Sequence, residues 1–368
     1  MSNIININKK EVKQELLTID KLADRIVSEA VKFKASDIHI VPQRKQTKFY
    51  YRIHNRLFLE GSYQRDRAER LISHFKFMAG MDIGEKRRPQ SGALTMFVSS
   101  KWIGLRLSTL PTPYSESLVI RIIPSLQTLP IEEISLFPKM STTLISMLKH
   151  SHGLILNVGP TGSGKTTTLY SMLHHAKNTI NRNIITLEDP VEHQSDDAIQ
   201  VQINEKAGIS YSVGLKAALR HDPDIIMIGE IRDAETARIA VRAALTGHLI
   251  LSTMHASDVL GAVRRLLEFG IDREEAKQTL LAVTSQRLLE LHCPFCGDEC
   301  SPYCLMEKKR GRVSIHEMIY GKELAKVWRE MEGDEVDYQY ANLNHLISKA
   351  VAYGFVDEKE YERWVHDD

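Results

Sequence analysis

Two rhythms of apolar and polar positions divide this 368-residue chain. Across residues 11–34 apolar side chains recur at helical intervals (Leu16, Ile19, Leu22, Ile26, Ala30). Ala35-Ser36-Asp37 then breaks the pattern ahead of a short extended run, Ile38-His39-Ile40-Val41. Further strands are expected at Lys48–Ile53, around Leu105-Arg106-Leu107 and over Leu118–Ile123, with Pro111 and Pro113 between the last two. One helix among several short strands implies a small α+β domain. Pro124, Pro130 and Pro138 read as a connector, so a boundary is expected near 125–135, giving domains of 1–125 and 126–368.

Beyond that boundary short, wholly apolar strands alternate with amphipathic helices, the signature of a mostly parallel sheet covered on both faces. The strands are expected at Leu154–Val158, Ile184–Leu187, Ile225–Ile228 and Leu249–Ser252, with helices after Lys165, Ser212 and Asp233. The expected fold class is therefore α/β, preceded by a smaller α+β domain. Forty-eight basic residues against 47 acidic ones leave a net charge of +1. No global charge draws this chain to nucleic acid or anionic lipid. The first ten residues carry no apolar stretch of signal-peptide length, and no later segment approaches the roughly 20 apolar residues of a membrane span, so a cytosolic chain is expected.

Gly159-Pro160-Thr161-Gly162-Ser163-Gly164-Lys165-Thr166 matches G-x-x-x-x-G-K-[ST] between an expected strand and an expected helix. Glycines there let backbone N–H groups wrap a phosphate, the helix amino terminus adds positive potential, and Lys165 reaches the outer phosphates. Thr166 would hold Mg²⁺, and Thr167 belongs with the nucleotide-binding candidates. A glycine-rich strand-to-helix turn without ligand is the alternative reading. Hydrolysis also needs carboxylates at neighbouring strand ends. Glu230 follows Ile225–Ile228, and Glu188, Asp189 and Glu192 follow Ile184–Leu187. Taken singly, Glu230 or Glu188 could also be a surface carboxylate, the minor reading for each. His248 and His255 flank the strand Leu249–Met254, where a histidine can contact the γ-phosphate or be an ordinary hydrogen-bonded group.

All four cysteines fall within Cys293-x2-Cys296-x3-Cys300-x3-Cys304. Four thiolates can close a tetrahedral Zn²⁺ site, with reduced metal-free cysteines and disulfides as the other readings. His292 is not counted as a ligand.

Taken together, Gly159–Thr166, Leu187-Glu188-Asp189-Pro190-Val191-Glu192, Leu219-Arg220-His221-Asp222-Pro223-Asp224, Gly229-Glu230-Ile231-Arg232-Asp233 and Thr246-Gly247-His248 resemble the type II secretion and type IV pilus assembly ATPase family. The likeness runs in family order from Ala35-Ser36-Asp37-Ile38-His39 to Gly311-Arg312. The short amino terminus, with His74-Phe75-Lys76-Phe77 and Met81-Asp82-Ile83-Gly84-Glu85, is most similar to the family's competence-pilus branch in Gram-positive bacteria. The resemblance implies a RecA-like ATPase domain behind a PAS-like first domain that swings against it. It also implies ATP and Mg²⁺ at the site, with Asp189 beside the nucleotide and catalytic roles for Glu230, Glu188, His255 and His248. Arg106 and Arg121 of the first domain would reach the phosphates. Their alternative is a pair of strand-face ion-pairing arginines.

At the level of assembly the resemblance implies a homo-hexamer at the inner membrane face, bound peripherally through a polytopic platform protein. It would act on pilin-like subunits indirectly and touch no nucleic acid. The cysteine segment favours pilus assembly over retraction. Ser115-Glu116 stands where the family commonly has Gly-Glu. Two other classes stay open at this point: a zinc-stabilised nucleic-acid-binding module that uses ATP as a ligand, and a regulatory protein whose assembly state follows nucleotide.

Overall fold

The computed structural model describes residues 17–53, 56–98, 101–123, 129–191, 195–293 and 311–365, with the side chains of 101, 102 and 206 outside the description. The chain forms two units, one of Met1–Leu126 with Cys293–Gly311, the other of Gln127–His292 with Arg312–Asp368.

In the first unit, α1 (Ile19–Lys32), β1 (Asp37–Pro42), β2 (Thr47–Ile53), β3 (Arg56–Tyr63), α2 (Arg65–Met78), β4 (Gln90–Val98), β5 (Lys101–Pro111) and β6 (Glu116–Ile123) follow in order. The strands make an antiparallel sheet ordered β3-β2-β1-β6-β5-β4. Strict alternation buries one face: Ile38, Ile40, Phe49, Tyr51, Leu105, Leu107, Ile120 and Ile122 share one core with Leu22 and Ile26 of α1 and Leu71 and Phe75 of α2. Each fully buried aliphatic or aromatic side chain contributes about 1.5–3 kcal/mol. The open face carries the polar partners, among them Arg106 and Arg121, which sit directly opposite each other on β5 and β6.

The second unit contains α3 (Pro138–Met147), β7 (Gly153–Val158), α4 (Lys165–His175), β8 (Ile184–Glu188), β9 (Ile199–Gln202), α5 (Tyr211–Ala218), β10 (Ile225–Ile228), α6 (Ala234–Leu245), β11 (Leu249–Met254), α7 (Val259–Glu268), α8 (Arg273–Thr279), β12 (Leu280–Glu290), β13 (Arg312–Tyr320), α9 (Gly321–Met331), α10 (Leu343–Ala352) and α11 (Glu358–Trp364). The sheet order is β13-β12-β7-β11-β10-β8-β9, parallel throughout except that β13 runs antiparallel to β12. Both faces are covered. Leu154, Leu156, Ile226 and Ile228 face α6 and α7, while Ile155, Ile225 and Met227 face α3 and α4. Burial on two sides is why these strands read as unbroken apolar runs.

Pro138, expected in a connector, instead opens α3, where its missing N–H costs no helix bond. β9, β12 and β13 were not anticipated from the pattern. Among the described residues no helix is long and apolar enough to cross a membrane.

Candidate active site

All six residues of β7 are buried, and the strand delivers the chain into Gly159 at the carboxyl edge of the sheet. Gly159, Gly162 and Gly164 have φ of 142°, 80° and 89°, left-handed values at which a side chain would be strained. At Gly159 a Cβ would also lie 2.6 Å from the Gln286 carbonyl oxygen. The loop closes into α4, so the helix amino terminus opens onto it. Lys165 folds back, its Nζ donating to the carbonyls of Gly159 at 2.7 Å and Pro160 at 2.9 Å. Burial, and secondly the nearby Arg287 guanidinium, lower its pKa.

Because β7, β11, β10 and β8 run parallel and in register, the residues at their carboxyl ends gather along one edge of the sheet. Gly159–Thr166 succeeds β7, His255 succeeds β11 and Glu230 lies just past β10, while Glu188 is the last residue of β8. A cavity of about 600 Å³ lies on this edge, and Lys165, Thr166, Thr167, Glu188, Asp189, Glu230 and His255 are among its lining residues. The end of β10 is held by Asp233, which caps α6 by accepting from Thr236 N at 2.8 Å, and by Thr253 Oγ1 donating to Gly229 O at 2.7 Å.

Two carboxylates face this cavity in different company. Glu188, only 4% exposed, accepts from Tyr170 Oη at 2.8 Å on both oxygens, from Thr186 Oγ1 at 2.6 Å and from Gln200 Nε2 at 3.3 Å. Those donors fix its orientation and compensate its burial. Glu230 instead pairs with Arg232 through one oxygen and lies 3.3 Å from His255 Nε2 through the other. Arg232 also approaches Asp189 at 3.7 Å.

Three left-handed glycines, a half-buried cation and a helix amino terminus form a donor set suited to polyphosphate, and the buried Ser163 Oγ has no protein partner among the described residues. Thr166 and the carboxylates supply hard oxygen donors suited to Mg²⁺. When bound, that ion neutralises charge between the phosphates.

Some expected site residues fall elsewhere. His248 precedes β11, at the amino end of the strand that His255 succeeds, with its Nδ1 3.1 Å from Ala243 O. Six residues of strand separate the two histidines, roughly 20 Å. Strand polarity therefore puts His255 on the ligand edge and His248 off it. Arg106 and Arg121 belong to the first unit, where they line a separate concavity with Ser91, Ala93 and Ser108. Arg121 Nε is 3.0 Å from Asp37 Oδ1. Cys293 is buried in the core of that unit, whereas Cys296, Cys300, Cys304 and Glu192 lie outside the described residues. Among the described residues no group of three or more His, Cys, Asp or Glu is placed to hold a metal ion.

Tyr170, Gln200, Arg232 and Gln286 were not anticipated as site residues. Arg232 could have been noticed two residues from Glu230. The others come from separate elements, and no local signal marks them.

The family described as "Type II/IV secretion system protein" matches residues 12–363. Competence protein ComGA of Bacillus subtilis strain 168 is 51% identical over 350 residues, covering 95% of this chain and 98% of that protein. Type II secretion system protein E of Klebsiella pneumoniae is 41% identical over 82% of this chain and 65% of its own length. Among solved structures, the ATPase DotB of Legionella pneumophila superposes with a TM-score of 0.75 at 20% identity, covering 98% of this chain and 99% of its own. The pilus retraction motor PilT with bound ADP does so at 0.66 and 24%, covering 94% and 97%. Those likenesses bear out the α/β fold with its smaller α+β first unit. By the extent of the family match and the identity to its relatives, the chain belongs to the type II/IV secretion system protein family and is an ATPase.

Proposed function

We propose that this ATPase powers assembly of a competence pilus or pseudopilus for DNA uptake. The single observation that carries the reading is the 51% identity, over nearly the full length of both chains, to a competence protein. The cavity that gathers Gly159–Thr166, Glu188, Glu230 and His255 on one sheet edge supports ATP hydrolysis as the source of work. In this reading the chain is a homo-hexamer whose first unit, near residues 1–125, moves against the RecA-like unit. Arg106 and Arg121 are carried by that movement to the nucleotide phosphates, where their charge stabilises the transition state.

The ring turns a polytopic membrane platform protein at the cytoplasmic face and thereby acts on pilin-like subunits, with no direct nucleic-acid contact. The near-neutral charge supports that last point. Cys293, Cys296, Cys300 and Cys304 bind a structural Zn²⁺, a reading that rests on their spacing.

The test is Lys165→Ala, which removes the cation of the phosphate loop. Loss of DNA uptake with the ring still assembled is expected, and full uptake in that variant refutes the motor role. Arg106→Ala and Arg121→Ala are expected to lower hydrolysis while leaving ADP affinity near the parental value. Elemental analysis is expected to return one zinc per chain, lost on replacing Cys296 and Cys300 by serine.

A further inference from the structure

Under the phosphate loop lies a residue that the loop motif does not contain. Gln286 sits on β12, which pairs with β7, the strand that feeds the loop, and it is 1% exposed. Its neighbours decide which way its amide faces. The Ser163 carbonyl can only accept, so Nε2 faces it, at 2.8 Å. Oε1 is then left to accept from Asn157 Nδ2 at 3.1 Å and Thr168 Oγ1 at 2.9 Å. The same residue abuts both ends of the loop. A Cβ on Gly159 would lie 2.6 Å from the Gln286 carbonyl oxygen, and one on Gly164 would lie 2.8 Å from Gln286 Nε2.

We propose that Gln286 is a positioning residue for the nucleotide phosphates: by holding the Ser163 carbonyl it aims the Gly164 N–H into the phosphate cradle. The proposal rests on reading Gly159–Thr166 as a phosphate loop. A peptide bond is planar and trans, so its C=O and N–H point in opposite directions. With the carbonyl of Ser163 turned onto Gln286, the N–H of Gly164 points the other way, and Gly164 lines the cavity. A peptide turned over about this bond would instead present a carbonyl oxygen to the phosphate, and attraction would become repulsion.

Asn157 and Thr168 keep the anchor itself from rotating. Half a turn of the Gln286 amide would set Oε1 against the Ser163 oxygen and Nε2 against the Asn157 amide nitrogen. Directly opposite on β13, His316 is fully buried and its pKa is pushed down to about 4 by that burial, so it adds no charge beneath the loop at neutral pH.

The experiment measures the Kd of MgADP at pH 8 by calorimetry, and the melting temperature without ligand, for the parent chain, Gln286→Met and Gln286→Glu. Met keeps the length and nearly the volume of glutamine. It is expected to melt within a few degrees of the parent and to bind ADP about tenfold or more weakly, the loss of one charge-assisted hydrogen bond. Gln286→Glu is expected to bind more weakly still, because its carboxylate faces the Ser163 carbonyl.

A space-filling role predicts the reverse order, since glutamate is the closer isostere, and that order overturns the inference. So does a folded Gln286→Met variant with parental affinity. Should the Met variant fail to fold, parental ADP affinity in Gln286→Glu overturns it alone. A parent chain that binds no ADP refutes the phosphate-loop reading itself, a distinguishable outcome that takes this inference with it.

Discussion

Glu60 of β3 is 6% exposed, yet it faces α1 as a carboxyl group. Tyr63 Oη donates to its two oxygens at 3.0 and 3.1 Å, and Arg25 Nη2 lies 3.4 Å from Oε1 while donating to Tyr63 Oη at 2.6 Å. Burial pushes the Glu60 pKa up from 4.5 to about 7, Arg25 and Tyr63 offset part of that rise, and Glu29 adds to it. Between pH 4.5 and 7 the folded chain therefore holds a proton that the unfolded chain has released. Stability contributed by this group falls as pH rises through that window, the opposite of a salt-bridged acid. The interval of about 2.5 pH units corresponds to about 3 kcal/mol at 1.36 kcal/mol per unit.

Glu60→Gln keeps the shape and an acceptor for Tyr63 but removes the titration. The variant is expected to match the parent near pH 4 and to exceed it by about 3 kcal/mol at pH 8. Urea unfolding at intervals from pH 4 to 8, read by hydrogen exchange in peptides of α1 and β3, measures the difference. Parallel pH profiles for the two proteins would show that Arg25 and Tyr63 fully cancel the effect of burial and refute the reasoning.

Other buried or site groups give three more expected outcomes. Lys76 and Glu116 form an ion pair at 3.0 Å with side chains 1% and 3% exposed, so Lys76→Met strands a buried carboxylate and is expected to cost about 3–5 kcal/mol in unfolding experiments, most of it recovered by adding Glu116→Gln. The two ring nitrogens of His316 have no partner among the described residues, and its pKa of about 4 means that stability is lost as pH falls from 6.5 to 4. His316→Leu is expected to flatten that acid limb in melts at pH 4 and pH 7 without lowering stability at pH 7. His255→Ala is expected to lower the ATPase kcat about tenfold by removing the neighbour of Glu230, whereas His248→Ala is expected to lower it much less; equal loss of hydrolysis in both would contradict their opposite ends of β11.

How far the sequence carries depends on how local each feature is. The phosphate loop was legible because its chemistry needs eight contiguous residues, Gly159–Thr166, whose glycines, lysine and hydroxyl act within one turn. The strands β7, β8, β10 and β11 were legible because burial on both faces leaves them uniformly apolar, and the carboxylates Glu188 and Glu230 because they stand at strand ends. β12 and β13 were missed: residues such as Thr284, Ser285, Gln286, His316 and Glu317 are buried yet polar, so neither alternation nor an apolar run announces a strand.

Those same polar residues are what only the tertiary structure decided. Gln286 lies 123 positions beyond Ser163, and only the pairing of β12 with β7 brings its amide under the loop. Tyr170 from α4 and Gln200 from β9 meet Glu188 across the sheet edge, and the direction of β11 separates His255 from His248. A motif fixes the groups that touch a ligand. The orientation of those groups comes from hydrogen bonds between strands and helices far apart in the chain, and no stretch of sequence contains both partners.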